Sequence, residues 1–297
     1  MARYFSKESY AELPWAPKVN AAADFWRKQC FFGDRSLFWQ GDLWTLENLS
    51  ELYPRIEKFE FGKGKNYFTK LRTQLNGASR DAVRLDAELH WLLYLILLGK
   101  TIKWYRATLL PGTKRRNLQK ILDNNREELP NTRWLNDKFL MGLAANKYFL
   151  PTFYEPHLSL IKTLIAWKKL APAARDSFAT APWRFAEWCD KQPKSMHPGL
   201  RNTLLYLLFP DSFEDIMVQD DKDVIVKRHC NTMTDQSWMD FESGGGFKNK
   251  VQVDQAILEI RAKLTAELGR RLHFYQDVLN EGAILPGSDP NKWPIQV

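Results

Sequence analysis

Apolar positions recur at steps of three and four along most of this chain, the spacing of helices that each hide one face. Leu46, Leu49, Leu52, Tyr53, Ile56 and Phe59 form one such stripe, with Thr45 placed ahead of it as a capping residue. The spacing predicts an amphipathic helix there, which Pro54 can kink or split because proline has no N–H to give. From Ser79, a second capping residue, the chain passes Val83, Leu85 and Leu89 into the run Trp91 to Leu98, apolar on every side. Such a helix belongs in the middle of a core. Further helical patterns cover 131–148, 154–170, 180–191 and 198–208, with Pro151, Pro172 and Pro193 as punctuation. Near the end, Val253, Ile257, Ile260, Leu264, Leu268, Leu272, Tyr275 and Leu279 keep the same period, which predicts a helix of about seven turns acting as a brace. Strand signals are confined to short candidates such as Ser36 to Trp39, and there is no internal repeat. The expected fold class is all-α: a multi-helix globular domain with a long C-terminal helix.

Loop chemistry divides this pattern in few places. Residues 1–282 read as one helical domain, with a candidate subdomain break near 127–131 (Glu127 to Asn131). Ser243-Gly244-Gly245-Gly246 reads as a flexible joint ahead of the long helix. Residues 283–297, which contain Pro286-Gly287-Ser288-Asp289-Pro290, read as a linker or tail.

Composition narrows the class of molecule. With 44% hydrophobic and 26% charged residues over 297 positions, the chain has the balance of an ordinary globular protein rather than a disordered or fibrous one. The longest apolar run, Trp91 to Leu98, is far short of the roughly 20 residues a membrane span needs, and Met1-Ala2-Arg3-Tyr4-Phe5 lacks the apolar stretch of a secretory signal. No membrane partner is expected. Cys30, Cys189 and Cys230 are odd in number and far apart, so neither a disulfide framework nor a Cys-x-x-Cys zinc clip can be drawn, and a reducing cytoplasm fits. Lys and Arg number 43 against 35 Asp and Glu, a net charge of +8 that favours polyanionic partners.

Motifs for bond-making chemistry are incomplete. Gly99-Lys100-Thr101 resembles the tail of a phosphate-binding loop, but the loop needs a glycine where Tyr94 stands. Pro210-Asp211 followed by Asp220-Asp221-Lys222 has the order of a magnesium nuclease site, in which two carboxylates hold the ion and lysine assists. The competing reading makes Asp211 and Glu214 a capping-box pair opening a helix after Pro210. His90, His157, His197, His229 and His273 show no His-x-x-x-His or His-Glu-x-x-His spacing, and His90 reads as a hydrogen-bonded core histidine. No Gly-x-Ser-x-Gly elbow is present. The expectation is therefore no catalytic residue, no metal and no cofactor. One unaided clue remains: no acid lies between Glu88 and Asp123, whereas Lys100, Lys103, Arg106, Lys114, Arg115, Arg116 and Lys120 lie there with Trp104 and Tyr105. Cations hold phosphates and aromatic faces stack bases, so this stripe is the candidate nucleic-acid surface; the alternative is a solvated loop and helix end.

Two stretches carry a family resemblance. Ala23-Asp24-Phe25-Trp26-Arg27, then Ser36-Leu37-Phe38-Trp39 and Leu43-Trp44-Thr45-Leu46-Glu47-Asn48-Leu49, resemble the opening of the N-terminal region of bacterial McrB-like AAA+ proteins. Pro198-Gly199-Leu200-Arg201, the run Leu204 to Glu214, and then Asp221-Lys222 and Ile225-Val226 are similar to a Leu-Phe-Pro-Asp-x-Phe-Glu segment of the same proteins. The resemblance implies a helical N-terminal region of a modification-dependent restriction system, with DNA, an AAA+ motor and a nuclease subunit as partners. The family's Walker A loop is missing, and the chain stops at Val297, about where an EVE-type reader of modified bases would begin. The implied role is a non-catalytic helical module of anti-phage defence that contributes DNA contact or complex assembly. The alternatives are a protein-interaction scaffold unrelated to DNA and a magnesium nuclease at Asp211, Asp220 and Lys222.

Overall fold

The structure, a computed structural model, describes residues 13–58, 67–98, 109–143, 153–192, 196–229, 247, 249–269, 272 and 274. It is all-α. Helix α1 (Ala16–Trp26) runs into a π-helical turn over Arg27–Phe32, followed by α2 (Leu46–Glu57), α3 (Tyr67–Gln74), α4 (Arg80–Ile96) and α5 (Pro111–Leu122). Then come α6 (Asp137–Leu140), α7 (Tyr154–Lys168), α8 (Pro172–Phe178), α9 (Pro182–Asp190), α10 (Pro198–Leu208), α11 (Gln219–His229) and α12 (Lys250–Leu268).

The predicted caps do what their chemistry suggests. The Thr45 hydroxyl accepts the Asn48 N–H at the start of α2, and the Ser79 hydroxyl accepts the Ala82 N–H at the start of α4. Pro54 is accommodated within a continuous α2. Helix α4 is buried from Leu85 through Ile96 and forms the middle of the main core, packed by α2, α5 and α7. The aromatic residues around it are largely interior: Trp26, Trp44, Trp91 and Trp167 are fully buried, and Phe31 stacks on Trp167 with ring centroids 4.5 Å apart.

Several local expectations are corrected. Ser36 to Trp39 is not a strand; an isolated antiparallel bridge joins Arg35 and Asp42, and the turn between them is pinned to Glu88 of α4. Ser36 Oγ, the Leu37 and Phe38 N–H groups and Trp44 Nε1 all donate to that buried carboxylate, at 2.5–2.8 Å. The pattern over 131–148 resolves into a 3₁₀ turn at Arg133–Leu135 and the short α6, with 144–148 outside the described residues. No helix opens at Asp211; the backbone turns there and α11 begins at Gln219, while Glu214 is spent on an ion pair with Arg261 of α12. The long helix ends sooner than its apolar stripe: Gly269 at φ 63° caps α12 in the left-handed region, which glycine enters without a Cβ penalty. Tyr275, Leu279, Ser243–Gly246 and the 283–297 tail lie outside the described residues.

Residues on both sides of 127–131 contribute to the main core, Leu122 before it and Trp134 after it. A second, smaller apolar cluster forms where Ile225 and Val226 of α11 meet Val253, Ile257, Ile260 and Leu264 of α12. Polar contacts tie it to the rest. Arg201 of α10 donates to both carboxylate oxygens of Asp190 at 2.6 and 2.9 Å, and to Asp254 Oδ2 at 2.8 Å. Lys222 donates to Asp254 Oδ1 at 2.6 Å and Asn202 Oδ1 at 2.9 Å. Helices α9, α10, α11 and α12 thus share one buried charge network.

Candidate functional site

The basic stripe divides once it is folded. Lys100, Lys103 and Arg106, with Trp104 and Tyr105, lie outside the described residues. Lys114 belongs to the interior: it is fully buried, and Nζ reaches the carbonyls of Tyr94 (2.8 Å) and Leu97 at the end of α4 and of Leu140 (2.6 Å) at the end of α6. Helix C-termini leave carbonyls without partners and carry partial negative charge, so an ammonium between two of them satisfies both needs. Burial draws its pKa well below the ordinary lysine value. A side chain so enclosed cannot touch a phosphate, which removes Lys114 from the candidate surface. Arg115 is half-buried and held by the Leu135 carbonyl (3.2 Å) and Asp137. Arg116 and Lys120 are exposed one helical turn apart on α5, Arg116 against Thr113 and Lys120 over the Phe68 ring at 5.9 Å.

The Asp211, Asp220, Lys222 arrangement is not assembled. Asp220 and Lys222 lie in the same helix, α11, and the Lys222 ammonium is buried against Asp254 and Asn202. Burial, and the nearby Arg201, lower its pKa against the pull of Asp254. A lysine committed to that network is not placed to assist hydrolysis.

The titratable groups that the fold does bring together are Asp86, His90, His157 and Tyr67. Asp86 and His90 are four residues apart on α4, the helical spacing that puts two side chains on one face. His157 comes from α7 and Tyr67 from α3. Asp86, His90 and His157 are all 0% exposed. His90 Nδ1 lies 2.8 Å from the Asp86 backbone carbonyl and 3.3 Å from Asp86 Oδ2. His157 Nε2 lies 2.8 Å from Asp86 Oδ1. Behind both imidazoles sits the Tyr67 hydroxyl, 3.0 Å from His90 Nε2 and 2.9 Å from His157 Nδ1. The ring centroids of His90 and His157 are 4.4 Å apart, and Phe153 stacks on His90 at 5.5 Å.

Electrostatics couple these groups. Burial alone would raise the Asp86 pKa, but His90 and His157 outweigh it and hold the carboxyl well below the usual carboxylate range. Burial pushes the His157 pKa down against the attraction of Asp86. Tyr67 is driven well above the ordinary tyrosine value, by burial first and then by the charge of Asp86, so its phenol stays protonated. Among the described residues, Asp86, His90 and His157 are the cluster whose donor atoms converge closely enough to hold a metal ion, all within 4.8 Å of one another.

Sequence reasoning placed His90 in the core with a hydrogen bond, as the structure has it, but did not pair it. The signal was present as Asp86-x-x-x-His90, half of a site on one helical face. The other half, His157, carries no mark in its own neighbourhood and is supplied only by the packing of α7 on α4. No family model, curated protein or solved structure matches this chain.

Proposed function

We propose that this chain is a non-catalytic helical module of a modification-dependent restriction or anti-phage system, contributing DNA contact or complex assembly for an AAA+ motor and nuclease carried on other polypeptide. The resemblance of its two stretches to McrB-like proteins motivates the context. The placement of charge carries the DNA part. Among the described residues five cations are buried (Lys114, Lys168, Arg201, Lys222 and Arg261) and five acids are buried with them (Asp86, Glu88, Glu214, Asp215 and Asp254). The described interior is therefore balanced, and the surplus of the described residues, 30 Lys and Arg against 26 Asp and Glu, lies at their partly and fully exposed positions. A surplus in that position attracts polyanions. Arg116 and Lys120, exposed on one face of α5, are the proposed contacts among the described residues, with Lys100, Lys103 and Arg106 preceding them in sequence and Arg115 at the margin.

The test is duplex-DNA binding by the full chain across a salt series. Binding through phosphates should weaken steeply with salt, and the pair Arg116→Gln and Lys120→Gln should lower the slope by about 1 to 2 units, since each released contact is worth roughly 0.9. Salt-insensitive binding, or no binding at low salt, refutes the DNA contact. A co-purifying protein that DNA cannot displace moves the reading to assembly.

A further inference from the structure

We propose that Asp86, His90 and His157 form a buried site for one divalent transition-metal ion of the zinc type, with both Asp86 carboxylate oxygens and one nitrogen of each imidazole as the four donors and Tyr67 holding both imidazoles in orientation. The protons available to the cluster limit the contacts it can make. His90 Nδ1–H donates to the Asp86 carbonyl, the Tyr67 hydroxyl can donate to His90 Nε2, and His157 Nδ1–H can donate to Tyr67 Oη. With both imidazoles neutral, the two rings and the phenol supply three protons and those three contacts use them all; a fourth proton, making one ring an imidazolium against the Asp86 carboxylate, is the alternative to an ion. The fourth contact, His157 Nε2 to Asp86 Oδ1 at 2.8 Å, is then filled either by that proton or by a cation.

The alignment of that contact is a second, independent observation. Asp86 Oδ1, Asp86 Oδ2 and His157 Nε2 are fully buried, yet none makes a hydrogen bond of acceptable geometry. The contact sets a carboxylate oxygen and an imidazole nitrogen side by side at 2.8 Å, in reach of a shared ion. Buried polar atoms without aligned partners are costly, and an ion between them would satisfy all three at once.

Chemistry and spacing then select the ion. Two imidazoles and a carboxylate are a zinc-type donor set, and bonds of about 2.0–2.1 Å in a tetrahedron place donors about 3.3–3.4 Å apart. His90 Nδ1 and Asp86 Oδ2 already stand 3.3 Å apart, and the His157–Asp86 contact has to open by about half an ångström to match. With an ion present, His90 changes tautomer so that Nδ1 can bind it, and the far nitrogens of the two rings, His90 Nε2 and His157 Nδ1, stay against Tyr67 Oη. His90 Nδ1 and His157 Nε2 then both face Asp86. An imidazole ligand whose far nitrogen is fixed by an outer partner is the usual arrangement around protein-bound zinc. The ligands are buried and drawn from two helices with Tyr67 on a third, so the ion would clamp α3, α4 and α7 together rather than meet a substrate.

The full chain, purified without added chelator or affinity metal, should carry about one equivalent of metal, or take up one equivalent of Zn²⁺ after chelator treatment. Its Co²⁺ derivative should show tetrahedral d–d bands without thiolate charge transfer. X-ray absorption of the zinc form should show nitrogen and oxygen ligands and no sulfur; neither spectrum requires a variant to fold. Asp86→Asn and His157→Gln should lose the equivalent, while Tyr67→Phe should keep it with affinity reduced about 10- to 100-fold, as loss of an outer partner does. Failure of the wild-type chain to bind Zn²⁺ or Co²⁺, sulfur in the ligand shell, or undiminished binding by folded Asp86→Asn would each overturn the site.

Discussion

Replacing Lys114 by methionine separates the two roles available to a lysine in a basic stripe. In the folded chain its ammonium serves the carbonyls of Tyr94, Leu97 and Leu140, at the ends of α4 and α6, and none of it is exposed. Methionine keeps the length of the stem but donates nothing. The Tyr94 carbonyl keeps the Leu97 N–H, so Leu97 and Leu140 are the carbonyls left without a partner, each at about 1–3 kcal/mol. Removing a buried charge returns part of this, because the desolvation of an ammonium is itself worth several kcal/mol. The net expectation is a loss of about 2–4 kcal/mol. At about 2–4 °C per kcal/mol for a domain of this size, the melting temperature should fall by roughly 4 to 16 °C. Differential scanning calorimetry of Lys114→Met beside Arg116→Met checks it, since the exposed Arg116 should change stability by no more than about 0.5 kcal/mol. The pH dependence has a definite sign. Burial sets the folded pKa of Lys114 below its ordinary 10.5, so the unfolded chain binds the proton more tightly. This group's contribution to stability therefore rises with pH across the interval below 10.5, and the variant should lack that rise. A Lys114→Met protein that melts like the wild type but binds DNA less well would refute this assignment.

Three further changes test other parts of the fold. Gly142 has φ 70°, and a Cβ there would overlap the Leu97 carbonyl; Gly142→Ala should cost at least about 3 kcal/mol by chemical denaturation, more than the strain of a left-handed alanine alone. Arg201→Met should destabilise by about 1–3 kcal/mol, because Asp190 and Asp254 lose their shared partner while Lys222 still holds the buried Asp254 carboxylate. A midpoint shift near zero would show that the network is dispensable. Glu51 takes the Ser79 N–H and hydroxyl at 2.7 and 2.6 Å; burial opposes its ionisation, but these hydrogen bonds and Arg55 prevail and lower its pKa. Its stabilisation is therefore present above pH 4.5 and lost as pH falls through the lowered folded value, and solvent exposure keeps it below about 1 kcal/mol. The stability gap between wild type and Glu51→Gln should close on acidification, and a gap constant with pH would contradict the shift.

The local periodicities of this chain determine its class and about half of its helices, α2, α4, α7, α9, α10 and α12. Apolar steps of three and four, with Thr45 and Ser79 as caps, place α2 and α4, and the all-apolar run after Leu89 marks α4 as central before any contact is known. These features are legible because a helix is a short-range object whose hydrogen bonds join residues four apart. The stripe alone could not end α12 at Gly269, nor make Ser36 to Trp39 a turn pinned by Glu88, because a glycine cap and a distant carboxylate outweighed the pattern. Tertiary packing decided which charges are surface and which are interior. Lys114 and Arg116 are two positions apart in the same cationic run, yet the helix turns one into the core beneath α4 and the other out to solvent. Packing also created the Asp86, His90 and His157 cluster, since one helix supplies a single face and the third donor had to come from α7 across the core.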